Sequence, residues 1–327
     1  MNIAYQSSNE FSVHTGISLF SLLYNNKDIS NLNIYLLSNG ISDDELDKIK
    51  NLVKSFDRKL YIIDLMERFN IVKKKYNLMD FNNINACAEM LPADIFSQEV
   101  DEILLIDSDT IVDGSIKNIR PISFDQYVIS AVPNYQFNYS YENLDSDSKK
   151  VIDKNGLYFN SGVVLYNLKK WRELNCDSLI INAIKETEDR SYFASQTILN
   201  LAIPKKYVHL MSYKYNYFGF QYNKYIGQKI HQMYNENIKE IEEHPIILHY
   251  KGFFNRPWFK ELNSKEIKKY RYYKKQTEWA NYPLESIYNS LNFKNANLLT
   301  KFKLYLIIKF QKNNFFNFIL YLKSKKK

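Results

Sequence analysis

Short apolar runs rich in β-branched and aromatic residues alternate along the chain with stretches whose apolar positions return every three or four residues. The runs Asn2–Tyr5, Asn33–Ser38, Leu60–Asp64, Glu102–Ile106, Tyr127–Val132, Phe159–Tyr166 and Ile246–His249 read as strands. Between the first two, Ile17, Phe20, Leu23 and Tyr24 keep helical spacing within Phe11–Tyr24. Between the second and third, Ser42-Asp-Asp-Glu45 has the form of a capping box, in which the Ser and Glu side chains satisfy each other's backbone N–H groups. Leu46, Ile49, Leu52 and Val53 then fall on one helical face. A β-α-β-α-β opening of this kind predicts an α/β fold on a doubly wound, mostly parallel sheet. Such sheets bind ligands beyond the carboxyl ends of their strands, where the winding reverses. Polar residues just after strand ends are therefore the candidates for chemistry.

Composition narrows the classes. Hydrophobic residues make up 45 % of the 327 positions and charged residues 24 %, which supports a sizeable core and excludes wholesale disorder. Two cysteines, Cys87 and Cys176, cannot build a disulfide framework, and no clustered Cys/His pattern suggests structural zinc. Neither GxGxxG nor GxxxxGK[ST] occurs, so the phosphate loops of dinucleotide-binding and P-loop proteins are missing. The start, MNIAYQSSNE, has no basic region leading into an apolar stretch, and no run of 18 apolar residues occurs. The expectation is a cytoplasmic protein.

Charge is unevenly placed. From Lys260 onward the chain has 16 Lys/Arg against 4 Asp/Glu, whereas the residues before it have 28 against 32. The body is mildly acidic and the tail strongly basic. A nucleic-acid binder would carry its positive stripe on the folded body, so no nucleic acid is expected as partner. From Ser264 the tail interleaves Lys with Tyr, Phe, Leu and Ile, as in Lys268–Gln276, Lys301–Phe310 and Phe315–Lys327, with no Pro or Gly after Pro283. This composition suits an interfacial helix on an anionic membrane surface. A solvated helical extension and a helix packed on a partner subunit are its alternatives. The chain divides at this stage into a body, residues 1–260, and a basic aromatic tail, residues 261–327.

Three segments carry candidate chemistry. Asp107-Ser-Asp109 follows the apolar run Ile103–Ile106, so two carboxylates stand at a strand end where both can face one hard cation such as Mg²⁺ or Mn²⁺. A plain polar strand end is the alternative. In Tyr158–Trp171 the interruption Asn160-Ser161-Gly162 places a glycine inside a strand, a sign of a bulge or of close backbone approach to a ligand. His249-Tyr-Lys-Gly252, followed by Asn255-Arg256-Pro257-Trp258, offers an imidazole for a metal and a guanidinium for a phosphate. Taken singly, His249 reads equally as a structural histidine and Arg256 as a solvated loop charge.

Together these segments resemble the retaining glycosyltransferase family 8, the group that includes bacterial lipooligosaccharide α-galactosyl- and α-glucosyltransferases and glycogenin. Over residues 1–260 the family's motifs occur in order. They are the strand-ending DxD at Asp107 and Asp109, the N-[AS]-G strand at Asn160–Gly162, a D-Q-x-x-L-N helix as Ser195-Gln196…Asn200, and H-Y-x-G…[KR]-P-W from His249 to Trp258. The resemblance implies a GT-A fold, with a Rossmann-like mixed sheet, that transfers a hexose from a UDP-sugar with retention of configuration. It assigns Asp107, Asp109 and His249 as ligands of Mn²⁺ (or Mg²⁺). Gln6, Ser8, Phe11, Ser108, Gly252 and Arg256 become nucleotide contacts, with Phe11 against the uracil and Gly252 and Arg256 at the diphosphate. Asn160 and Gln196 line the sugar at the reacting face, and a Gln rather than a carboxylate at 196 favours same-face displacement over a covalent glycosyl-enzyme.

Three departures fall on the donor side. The family has an Asp after the first strand, where Gln6–Phe11 supplies Ser8. It has an Arg upstream of the DxD, where Ala86-Cys-Ala-Glu-Met-Leu-Pro92 has none. The Asp of the D-Q helix is Ser195. They imply an altered sugar preference rather than loss of the metal site. The expected activity is transfer of Gal or Glc to a lipooligosaccharide, lipopolysaccharide or capsule acceptor at the inner face of the cell membrane, with Asn134–Tyr141 and Lys214–Tyr225 as acceptor contacts. A GT-A transferase for another nucleotide sugar, a degenerate sugar-binding subunit and a basic RNA-binding module are the competing readings.

Overall fold

The computed structural model describes residues 1–78, 81–134, 146–186, 195–218, 238–252 and 255–299, together with 301, 302, 305 and 308. Its strands are β1 (Asn2–Ser8), β2 (Asn33–Asn39), β3 (Lys59–Asp64), β4 (Glu102–Ile106), β5 (Thr110–Val112), β6 (Ile129–Pro133), β7 (Phe159–Asn167), β8 (Val208–Leu210) and β9 (Ile247–His249). Seven of them form one mixed sheet in the order β3-β2-β1-β4-β7-β6-β8, and β5 pairs with β9 in a separate two-stranded ribbon. The four strands β3-β2-β1-β4 are parallel; β7 runs antiparallel to both β4 and β6. This is the doubly wound, mixed α/β sheet of the GT-A fold. All seven expected strands are present. The additional β5 and β8 have three residues each, too few to leave a period in the sequence.

Alternation along the strands explains the continuous apolar runs. On β4, Leu104 and Ile106 enter one core, while Ile103 and Leu105 enter the other; on β7, Val163 and Leu165 oppose Val164 and Tyr166 in the same way. The sheet is covered on both faces, so both side-chain sets must be apolar. Helices α1 (Ser12–Asn25) and α2 (Asp43–Ser55) cover the first face, and α3 (Leu65–Tyr76) and α4 (Ile84–Met90) the second. Because α1 leaves β1 to reach β2 on one side while β4 pairs on the other, the winding reverses between β1 and β4. Gln6–Ser8 and Asp107–Asp109 stand at the carboxyl ends of those two strands.

The capping box is not closed. Ser42 occupies the N-cap of α2 without a side-chain cap bond, and its N–H donates to Asn9 Oδ1 (2.9 Å). Glu45 turns away from it: Oε2 accepts from the Trp279 indole N–H (2.7 Å) and the Ser12 hydroxyl (3.1 Å), while Oε1 pairs with Lys48. Three donors compete successfully with one backbone N–H. The helix begins where the sequence places it, but its third residue ties the C-terminal segment to the body.

That segment is the first part of the basic tail. A helix over Lys265–Lys274, its N-cap Ser264 accepting from Ile267 N–H, packs on α1 and buries Ile267, Tyr270 and Tyr273 in the first core. Trp279 follows, 3 % exposed, against Gly16 of α1, where any Cβ would overlap the indole. The Tyr273 hydroxyl donates to Asp113 (2.7 Å), and Lys269 forms an ion pair with the same carboxylate. Phe315–Lys327 and most of Lys301–Phe310 lie outside the described residues. Among the described residues, no helix is long and apolar enough to cross a membrane.

A chain ending at Glu261 would strip these side chains from the core. It is expected to melt far below the full-length protein, whereas a chain ending at Ser290 melts close to it. Trp279→Ala alone is expected to cost about 3–5 kcal/mol. Equal melting temperatures for the Glu261 truncation and the full chain would contradict this packing.

Candidate active site

Two antiparallel pairings assemble the site. In β4–β7, Ile106 lies opposite Val163, and the Asp107 N–H continues the ladder by donating to the Gly162 carbonyl (2.8 Å). In β5–β9, Thr110 lies opposite His249, and the Tyr250 N–H donates to the Asp109 carbonyl (2.9 Å). His249 Nε2 consequently stands 3.3 Å from Asp109 Oδ1 and 3.6 Å from Asp107 Oδ2. Among the described residues this is a group of three metal-capable side chains with one ligand atom each, all within 4.8 Å of one another. Two carboxylate oxygens and one imidazole nitrogen suit Mn²⁺ or Mg²⁺ with positions left for further oxygens.

Gly162 makes the approach possible. A Cβ there would overlap the His249 ring and lie 2.7 Å from Asp107 Oδ2. The glycine of Asn160-Ser161-Gly162 is therefore a space requirement imposed by the triad, and it lies in a stretch of β7 where the register with β6 shifts, between the pairs Val164–Ala131 and Phe159–Pro133.

A chain of amides orients the imidazole. Asn160 Nδ2 donates to Gln196 Oε1 (2.8 Å), Asn216 Nδ2 donates to Asn160 Oδ1 (2.7 Å), and Asn216 Oδ1 accepts from His249 Nδ1 (2.9 Å). Each amide fixes the next, so His249 carries its proton on Nδ1 and turns Nε2 to the carboxylates. Gln196 and Asn160 thus stand together, and both connect to the triad. Asn216, buried and essential to this chain, falls in the segment Lys214–Tyr225 expected to contact the acceptor, but its part in orienting His249 was missed in the sequence because it belongs to no motif; it precedes Tyr217, whose carbonyl accepts from the His249 N–H (2.9 Å).

The electrostatics follow from crowding. Burial pushes Asp107 up to about 6, opposed by His249 and reinforced by Asp109. Asp109 feels the same burial, but His249 and Arg256 outweigh it and hold its carboxyl below the ordinary value. Burial opposes a charge on His249, yet the two carboxylates hold its pKa above the usual range.

The remaining expected residues surround this centre. Gln6 donates to the Asn85 carbonyl (3.0 Å), and its own carbonyl accepts from Ser108 Oγ (2.7 Å). Ser108 points inward, sharing a second bond with Thr15 (2.7 Å), so it stitches the acidic turn to β1 and α1. Ser8 caps the short turn Asn9–Phe11 without a side-chain bond. Phe11 lies edge-on to Trp258 and His14 (centroids 6.0 and 5.6 Å). Gly252 has φ +86°, a conformation that disfavours other residues, and open space beyond it. The Arg256 guanidinium lies over Trp258 at 5.5 Å. Lys251, not singled out in the sequence, has its ammonium 5.0 Å from the Phe218 ring centre; burial lowers it to about 8, with Asp109 opposing. Of the acceptor segments, 135–141 and 219–225 lie outside the described residues.

The sequence profile of Glycosyl transferase family 8 matches residues 2–262. The chain belongs to this family. It is 25 % identical to glycosyltransferase GlyD of Streptococcus pneumoniae, over 73 % of this chain and 26 % of that protein, so it spans about a quarter of GlyD's length. It is 22 % identical to the lipopolysaccharide 1,2-glucosyltransferase of Escherichia coli K12, over 85 % of this chain and 79 % of that one. The galactosyltransferase LgtC, solved with donor and acceptor sugar analogues, superposes with a TM-score of 0.64 at 16 % identity, covering 85 % of this chain and 96 % of its own. As a family 8 chain it is a glycosyltransferase by class, on the fold that its sheet displays.

Behind Phe11, His14 stacks on Trp258 (3.9 Å) and its Nδ1 meets the Tyr270 hydroxyl (2.6 Å). Burial lowers His14 to about 4, with Arg256 reinforcing and Asp109 opposing. The folded value lies below the unfolded one, so the unfolded chain binds the extra proton and stability falls as pH drops from about 6.5 toward 4. The full loss attributable to His14 is on the order of 3 kcal/mol. His14→Gln is expected to flatten the melting-temperature profile over that window; an unchanged profile would contradict the assignment.

Gly162→Ala is expected to abolish Mn²⁺ binding, measured by the loss of the free-ion EPR signal on titration, while circular dichroism remains native. Undiminished Mn²⁺ affinity in that variant would refute the spacing argument.

Proposed function

We propose that this glycosyltransferase takes its sugar from a UDP-sugar, holds the diphosphate against Mn²⁺, and transfers a hexose, glucose or galactose, with retention of configuration. The single observation that carries the reading is the Asp107–Asp109–His249 cluster at a strand end where the winding of the sheet reverses. The donor set fits a hard divalent ion, and Gly162 leaves the three side chains room to converge. When bound, that ion supplies Lewis-acid stabilisation of the charge that develops on the departing nucleotide.

The chain's own residues supply the rest. Arg256, and Lys251 two residues beyond His249, bring positive charge to the side of the triad where the diphosphate would lie. Phe11, backed by Trp258 and His14, offers an aromatic edge for the base. Asn160 and Gln196 hold one another by a hydrogen bond and present amides to the sugar. No carboxylate stands at position 196, which favours a same-face displacement in which the leaving oxygen assists deprotonation of the acceptor.

The acceptor is a lipooligosaccharide, lipopolysaccharide or capsule glycan, by analogy with the E. coli relative's name. The basic, apolar residues after Ser290 would hold the enzyme peripherally on the anionic cytoplasmic face of the membrane, where such acceptors are assembled.

Asp109→Ala is expected to lower Mn²⁺-dependent UDP release from UDP-glucose or UDP-galactose by at least about 100-fold, the scale of a Lewis-acid contribution. EDTA should do the same to the wild type. Full activity in Asp109→Ala, or activity indifferent to EDTA, would end the metal reading.

A further inference from the structure

Helix α1 carries a row of hydroxyls at every third position, Ser12, Thr15, Ser18 and Ser21, and all four are buried. Residues three apart share one helical face. Ser and Thr are weaker helix formers than Ala or Leu, and an enclosed hydroxyl must find a hydrogen-bond partner. Apolar side chains would fill the same row at less cost to the fold, so the hydroxyls answer to something other than packing.

Three of them reach β5 and the acidic turn before it, in step. Thr15 Oγ1 meets Ser108 Oγ at 2.7 Å, and Ser18 Oγ meets Thr110 Oγ1 at 2.8 Å. Ser21 Oγ accepts from the Val112 N–H at 2.9 Å. Ser108 and Thr110 are the two neighbours of Asp109, and each passes the restraint to a main-chain carbonyl. Ser108 Oγ donates to that of Gln6 (2.7 Å), and Thr110 Oγ1 to that of Asp107 (2.8 Å). On the far side β1 holds the same α1 hydroxyls, Ser7 Oγ lying 2.7 Å from Thr15 and the Tyr5 hydroxyl 3.1 Å from Ser18. Thr110 also pairs with His249 across the ribbon, so Ser18 bears on the acids and on the strand that brings the imidazole. Ser21 is bonded two residues further along, past the turn.

Two carboxylates held close repel each other, and a loose turn would let them part whenever no ion is bound. Ion binding would then carry the cost of gathering them again. Neutral hydroxyls restrain the turn without adding charge to a crowded site.

We propose that Thr15 and Ser18 are positioning residues for the metal centre: by gripping both neighbours of Asp109 they keep the acidic turn in the shape in which its carboxylates meet His249. The inference rests on the metal reading above and adds the part of the fold that prepares the site.

The test uses the full-length wild type and four variants. Thr15→Val keeps the shape and removes the hydroxyl, Thr15→Ser keeps the hydroxyl, Ser18→Ala removes the second grip, and Ser21→Ala removes the bond past the turn. Mn²⁺ affinity is measured by EPR titration; in the ion-free protein, melting temperature and amide hydrogen exchange over residues 103–112 are measured. Thr15→Val and Ser18→Ala are each expected to weaken Mn²⁺ binding by about 10-fold, the scale for groups that orient metal ligands, and to speed exchange in that stretch. Thr15→Ser should restore affinity to within about twofold of the wild type. Ser21→Ala should lower the melting temperature while Mn²⁺ affinity stays at the wild-type value. Thr15→Val and Ser18→Ala proteins that melt lower yet bind Mn²⁺ as the wild type does would overturn the inference and leave the metal reading intact. An equal loss of affinity in Ser21→Ala would also overturn it, marking the effect as general loosening. A wild type that does not bind Mn²⁺ would remove both.

Discussion

The site depends on backbone register. Asp107 and Gly162 face each other because β4 and β7 pair with Ile106 opposite Val163; His249 faces the acidic turn because β5 and β9 pair with Thr110 opposite it. A slip of one residue in either ladder would send the side chains to the opposite face. The imidazole comes from a strand far along the chain from the acidic turn, so no local propensity could bring the three ligand atoms together. The ladders do, and one missing Cβ at Gly162 leaves the space in which they meet.

Around that convergence the protein arranges charge and rigidity differently. The acids and the imidazole are brought close at an electrostatic cost that a bound cation would relieve, while the amides of Gln196, Asn160 and Asn216 hold the ring in one tautomer. On the other side, the aromatic stack of Trp258 and His14 reaches Tyr270 on a helix beyond the family match. Trp279 and Glu45 fasten the same segment to α1 and α2. The C-terminal segment up to about Ser290 therefore supports the aromatic residues beside the triad as well as the core.

Much of this was legible in the sequence. Seven of the nine strands announce themselves through β-branched and aromatic runs, and the acidic turn, the Asn-Ser-Gly strand and the His249–Trp258 segment through motif and order. What stayed hidden has physical reasons. Strands β5 and β8 are too short to show a period, and Asn216 is an amide in a loop whose importance arises only through contact. The Ser42–Glu45 pattern marks the start of α2 correctly, but tertiary donors claim Glu45, and no local pattern reports on them. The sharp change in charge after Lys260 suggested an appendage, yet the side chains of Tyr270, Tyr273 and Trp279 belong to the core. Charge composition reports on the exposed face of that helix and is silent on its buried one.

The most direct measurement of the central claim is an anomalous difference map, recorded above the manganese edge, from crystals grown with Mn²⁺ and UDP. The account predicts one strong peak bonded to a carboxylate oxygen of Asp107, a carboxylate oxygen of Asp109 and His249 Nε2, with diphosphate oxygens completing the shell. A peak elsewhere, or none between these three side chains at saturating Mn²⁺ and UDP, would contradict it.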